Sequence, residues 1–121
     1  MKINELFAPN QQKEAALVTL SVRSALDLYL QAKQFPYGSE VLMTGVNIPD
    51  MSKILTSHGL IPVPVDVEPD TMMPNLESIK AATSPNTVAM IFAYLFGITY
   101  DPAPYHEFLS SRNIDIIEDC A

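Results

Sequence analysis

Residues 87–96 read Thr-Val-Ala-Met-Ile-Phe-Ala-Tyr-Leu-Phe. A run this nearly continuous in apolar residues does not alternate, as a strand with one wet face must. It predicts a strand covered on both faces, the usual condition of a central strand in a parallel sheet. A parallel sheet needs helices between its strands, so the flanking sequence should alternate strand with helix.

Working outward, it does. Upstream, "LESIKAA" spaces Leu76, Ile79 and Lys80 as a short helix does, after the turn "EPDTMMPN". "LIPVPVDV" (60–67) is rich in β-formers but carries Pro62 and Pro64. Those prolines predict an edge strand with their nitrogens turned outward. Pro49 suits the first turn of a helix with Met51, Ile54 and Leu55 on one face, stopped at His58-Gly59. "EVLMT" (40–44) predicts a buried strand, "PYGSE" before it a turn, and Gly45 to Pro49 a loop. Residues 11–34 have helical spacing in Val22, Leu26, Tyr29 and Leu30. The β-branched "LVTLSV" interrupts them, and Ser21 or Thr19 offers an N-cap, so a short extended piece is expected before a helix from near Ser24. Residues 1–9 read as an arm, with Asn10 able to cap a helix of its own. Downstream, Asp101-Pro102 predicts an N-cap and first helical residue. That helix should run to about Arg112, burying Tyr105, Phe108 and Leu109. "IDIIE" (114–118) is the last strand.

The chain is thus an α/β layer with a mostly parallel sheet, expected to have right-handed crossovers. Its ligands should gather at the carboxyl ends of the strands, near Thr44 to Asn47, Phe96-Gly97 and Asp119. At 121 residues it is one domain or part of one, and 48% apolar composition can supply a core. The net charge of -7 argues against a nucleic-acid partner, which asks for a basic face. The lone Cys120 implies no disulfide framework and suits a reducing, cytoplasmic setting. It reads as a small buried residue rather than a nucleophile. The opening "MKINELFAPNQQKE" has no apolar signal core, and no stretch has the length or apolarity of a membrane span.

Candidate chemistry is sparse. Asp119 is either a solvated strand end or a carboxylate that pairs with a cation. His58 and His106 lie on different helices, so no metal site is expected. Glu118 should alternate away from Asp119, which weakens a paired-acid reading. Ser21, Arg23 and Ser24 stand where a helix begins. They suit either capping, with Arg23 in solvent or paired to Asp27, or a phosphate at the positive helix end. Walker A and Rossmann glycine patterns are absent. Tyr94, Thr44 and Asn47 are polar groups near strand ends that core packing and loop hydrogen bonds explain equally well.

In order, "SVRSAL", "EVLMTGVNIPDMSKIL", "HGLIPVPVDVEPDTMMPNLESIKAA", "SPNTVAMIFAYLFG" and "IDIIEDCA" resemble the N-terminal part of the DegT/DnrJ/EryC1/StrS sugar aminotransferases. These are fold type I enzymes dependent on pyridoxal 5'-phosphate. The resemblance spans Ser21 to Ala121. It implies an incomplete large domain, a partial three-layer sandwich, after a lead-in over residues 1–20. It implies that Asp119 is catalytic, pairing with the pyridine nitrogen so that the ring can accept electrons. It places Arg23 and Ser24 at the cofactor phosphate, where relatives have glycine at the position of Val22. It also implies ring contacts for Ile48, where relatives carry an aromatic residue, and for Tyr94, where many carry histidine.

The resemblance further implies that a whole relative is considerably longer. Its Schiff-base lysine and C-terminal small domain lie beyond the aspartate, and none of Lys2, Lys13, Lys33, Lys53 or Lys80 matches that lysine. The expectation is a fragment inactive alone, prone to self-association or paired with a complementary chain. Full relatives are homodimers acting on keto-sugars and an amino donor. A non-enzymatic interaction module and an unrelated anion-binding α/β domain are the alternatives.

Overall fold

The apolar run forms β3, Thr87–Ala93, in the computed structural model, which describes residues 16–120. Its neighbours are β1 (Glu40–Thr44) and β4 (Asp115–Asp119), and β2 (Ile61–Val65) flanks β1. The order is β2-β1-β3-β4 and every pairing is parallel. Between them run α1 (Val22–Lys33), α2 (Pro49–Ser57), α3 (Leu76–Ala82) and α4 (Ala103–Ser110).

Alternation along β3 builds two cores. Ala89 and Ile91 face Leu26 and Leu30 of α1 and Met51 and Leu55 of α2. Met90 and Phe92 face Ile79 of α3 and Tyr105 and Leu109 of α4. The sheet is therefore the middle of three layers, as expected of a partial fold type I domain. The path steps from β1 out to β2 through α2, then back across to β3 and β4 through α3 and α4. Crossovers of one hand put helices on opposite faces when the direction reverses.

Local signals explain most boundaries. Ser21 caps α1, accepting from the Ser24 amide at 3.2 Å. The helix thus starts at Val22, two residues before the expected point, and 16–20 precede it without helix or strand. The arm over residues 1–9 and the candidate Asn10 cap lie outside the described residues. Pro49 opens α2, and Gly59 follows it at φ +74, where an added Cβ would also stand 2.4 Å from the Tyr37 ring. In β2, Ile61 donates to the Ser39 carbonyl of the neighbouring strand's lead-in. By alternation the nitrogens of Pro62 and Pro64 face the open edge, where no donor is required.

Three expectations need correction. The central strand ends at Ala93, because Tyr94 turns into a 3-10 turn at Leu95–Gly97 with Phe96 at φ 56. Helix α4 begins at Ala103, with Pro102 in the cap position, and ends at Ser110. Asp101 still accepts from the Ala103 amide at 2.9 Å, so the capping chemistry is as expected one residue out of step. Strand β4 runs one residue later than "IDIIE" and takes in Asp119.

Leu55 is fully buried between α2 and the sheet. Leu55→Ala should cost about 2–5 kcal/mol with an unchanged urea m-value. A loss under about 1 kcal/mol would show that α2 is not seated as described. Asp27 accepts from His58 Nε2 at 2.7 Å, which ties α1 to the end of α2. That hydrogen bond, against some burial, holds the Asp27 carboxyl below its ordinary value of 3.8. A folded-state value below the unfolded one gives stability present above the unfolded value and lost as pH falls through the folded one. The stability gap between wild type and Asp27→Asn should therefore close in acid. A gap that stays constant from about pH 6 down to 2 contradicts this.

Candidate functional site

All strands run the same way, so Thr44, Ala93 and Asp119 end at one edge of the sheet. Ala93 is in register with Asp119, and the Tyr94 amide donates to the Asp119 carbonyl at 2.9 Å. Helix α1 runs against the strands, which brings its first turn to the same edge. There Val22, Ala25 and Leu26 of α1, Met51 of α2 and Ile117 of β4 wall a hollow of about 310 Å³. Tyr29 lies along it, and Glu118, Asp119 and Cys120 complete its lining. The result is a largely apolar hollow with a carboxylate at a strand end and a helix N-terminus beside it.

The candidate residues divide around this hollow. Asp119 and the first turn of α1 come together there. The Arg23 and Ser24 side chains line a neighbouring hollow with Val18, Thr19, Leu20, Asp27 and Leu28. The Ser24 hydroxyl lies 3.1 Å from that of Ser21, which caps α1 by accepting from the Ser24 amide. The Arg23 guanidinium is 3.6 Å from Asp50, not paired with Asp27, whose partners are His58 and Gln31. With both ends about half exposed, the Arg23–Asp50 pair contributes about 1 kcal/mol at most.

Ile48 and Tyr94 line neither hollow. Ile48 is half exposed just before α2, at the point between β1 and β3 where connections leave to opposite faces. Its amide donates to Asn47 Oδ1 at 2.8 Å. Tyr94 follows Phe92 onto the α3/α4 face, opposite to α1. It stacks on Tyr100 with centroids 4.5 Å apart and donates its hydroxyl to Glu118 Oε1. Burial first, and Glu118 next, push the Tyr94 hydroxyl pKa up, which keeps it a donor.

The divergence of Glu118 and Asp119 follows from strand alternation. Ile116 packs on the α3/α4 core and Ile117 on the α1/α2 core, and the two acids continue that alternation. Cys120, expected to be buried, is exposed. Thr44 is 1% exposed, and its Oγ1 has no protein hydrogen-bond partner, nor does Asn47 Nδ2. Loop hydrogen bonding thus accounts for the Asn47 carbonyl but not for Thr44. Among the described residues no group of three His, Cys, Asp or Glu could hold a metal ion, and no helix is long and apolar enough to cross a membrane.

Sequence reasoning missed a cluster behind the hollow. Tyr29 donates to Asp115 Oδ2, and Lys33 Nζ pairs with the same oxygen at 2.5 Å. The available signal was Tyr29 and Lys33 one helical turn apart near the end of a helix that lies over strand starts.

Residues 2–121 match the DegT/DnrJ/EryC1/StrS aminotransferase family. The L-glutamine:2-deoxy-scyllo-inosose aminotransferase of Streptomyces kanamyceticus is 30% identical over 98 residues, 81% of this chain and 23% of that protein. An aminotransferase structure from Psychrobacter cryohalolentis is 30% identical with a TM-score of 0.75, covering 82% of this chain and 25% of that one. The Escherichia coli GDP-4-keto-6-deoxy-D-mannose-3-dehydratase, solved with bound hydrated pyridoxal phosphate, shares the fold at 23% identity and a TM-score of 0.73, covering 82% of this chain and 27% of that one. The chain therefore spans about a quarter of the length of these relatives, and it belongs to the DegT/DnrJ/EryC1/StrS aminotransferase family, whose members use pyridoxal phosphate.

Proposed function

We propose that residues 21–121 are the first part of the pyridoxal-phosphate-binding large domain of a sugar aminotransferase, with residues 1–20 as its lead-in. The observation that carries this is Asp119 on an apolar hollow shared with the first turn of α1. The residues fit the group. Ala25, Leu26, Met51 and Ile117 offer apolar surface to a flat ring, Asp119 offers a carboxylate to a protonated ring nitrogen, and the α1 N-terminus favours a phosphate. When bound, the cofactor supplies an electron sink for the substrate's Cα bond.

The work of this chain's own residues is then to bind and orient. Asp119 holds the proton on the ring nitrogen, because a neighbouring carboxylate favours the charged form of its partner. Val22 narrows the approach to the first-turn amides. Arg23 reaches a phosphate only by leaving Asp50, a pair weak enough at the surface to yield. Ile48 reaches a ring only from outside the hollow, and Tyr94 acts through Glu118 rather than by touching the cofactor. The Schiff-base lysine and the sugar pocket come from polypeptide other than these residues, in continuation or in a second chain. Strand β4, which carries no proline to blunt it, offers that polypeptide an open parallel edge.

Pyridoxamine phosphate, which needs no lysine, is the probe. Titrated by fluorescence, it should bind the chain, and Asp119→Ala should weaken binding roughly tenfold to a hundredfold, the range for a hydrogen bond to a charged group. Equal affinity in the variant sinks the assignment of Asp119. Borohydride reduction with pyridoxal phosphate should modify no single lysine selectively. One stoichiometric adduct would overturn the view that the lysine comes from elsewhere.

A further inference from the structure

The contact between α1 and the far end of β4 does something that the apolar packing around it cannot. Leu26 and Leu30 seat α1 on the sheet, but apolar contact is non-directional and tolerates sliding along the helix axis. Asp115 is the first residue of β4. Its Oδ2 receives the Tyr29 hydroxyl and, at 2.5 Å, the Lys33 ammonium. The same ammonium lies 5.7 Å from the centre of the Tyr29 ring. Two groups of α1 thus meet on one carboxylate of β4 with defined directions. The Lys33–Asp115 pair is about two-thirds shielded from solvent, at 35% and 32% exposure. Burial first, and Asp115 next, push the Tyr29 hydroxyl pKa up, so it remains a donor across the physiological range.

From this point both elements run toward the candidate site. Tyr29 to Val22 is seven residues of helix, about 10 Å at 1.5 Å per residue. Asp115 to Asp119 is four residues of strand, about 13 Å at 3.3 Å per residue. The two arms run along the hollow, which Tyr29 itself lines, and reach its Asp119 end at heights within about 3 Å of each other. Any slip at Asp115 is passed undiminished to the spacing between the first turn of α1 and Asp119. Resting on the cofactor reading given above, we propose that Asp115, gripped by Tyr29 and Lys33, is a positioning residue that sets the height of the phosphate-facing helix end against the ring-nitrogen carboxylate.

The test uses the whole chain and its only cysteine. Cys120 is exposed beside Asp119, and Leu20, fully exposed, stands directly before the Ser21 cap. Spin labels on Cys120 and on Leu20→Cys report the height of α1 as a distance distribution. Asp115→Asn and Tyr29→Phe, checked as folded by circular dichroism, should broaden that distribution or shift it by about one helical rise, 1.5 Å, or more. Asp115→Glu keeps the carboxylate on a longer arm, so it should move the mean while leaving the width unchanged. A tie that only adds stability would lower the melting temperature and leave all three distributions as in the parent, and that result overturns the proposal. Pyridoxamine phosphate affinity, measured on the unlabelled proteins, should fall about tenfold in Asp115→Asn, as expected for misplaced binding groups. If distances move but neither Asp115→Asn nor Asp119→Ala alters affinity, the cofactor reading fails while the positioning of α1 stands. If Asp119→Ala weakens binding and Asp115→Asn changes neither distance nor affinity, the positioning role fails alone.

Discussion

Burial of β3 on both faces is the constraint from which the rest of the structure follows. Ala89, Met90, Ile91 and Phe92 are all completely buried, two toward each helical layer. A strand so placed must have paired neighbours on both sides and helices above and below. Helical connections between parallel strands bring every strand end to one edge, and they bring helix N-termini to that edge too. The positive end of α1 therefore meets the carboxylate of β4 as a consequence of topology. An edge that offers a helix N-terminus and a carboxylate side by side suits a ligand that is anionic at one end and cationic at the other. That description matches a phosphorylated, ring-protonated cofactor, and it needs neither a glycine-rich loop nor a metal.

How much of this was legible in the sequence depends on how far apart the partners lie. Properties set within a few residues were readable. Ser21 breaking the long helical pattern, Pro62 and Pro64 marking β2 as an edge, and Gly59 ending α2 are all of this kind. So is the opposite facing of Glu118 and Asp119, because alternation is a property of one strand. Partners brought together by the fold were not readable. Arg23 goes to Asp50 rather than to Asp27, since α2 passes within reach of the first turn of α1. Tyr29 and Asp115 are 86 positions apart, and no local pattern announces them.

The resemblance to the family offered what neither composition nor alternation could, namely an expected role for Asp119. The structure adds a distinction that the resemblance alone does not make. Residues grouped by family role do not share one surface here. Asp119 and the α1 turn share a hollow, Arg23 and Ser24 side chains face the next one, and Tyr94 is behind the sheet. Of the departures from the pattern that the resemblance implies, Ile48 and Tyr94 stand outside the hollow, whereas Val22 lines it. Asp119, which keeps the pattern that the resemblance implies, lines the hollow beside the first turn of α1.

Two acids side by side at a strand end are safe only if register is fixed, because a slip of one residue exchanges their faces. Slipped, the Glu118 carboxylate would turn to the α1 side of the sheet and that of Asp119 to the aromatic stack. Three contacts oppose this. Ala93 pairs with Asp119, the Tyr94 amide holds the Asp119 carbonyl, and the Tyr94 hydroxyl holds the Glu118 carboxylate from the other face. Tyr94 is itself fixed by stacking on Tyr100, which packs edge-on against Phe92 of the central strand. The same strand that demands two helical layers thus also holds, through its own aromatic continuation, the choice of which acid faces the α1 side.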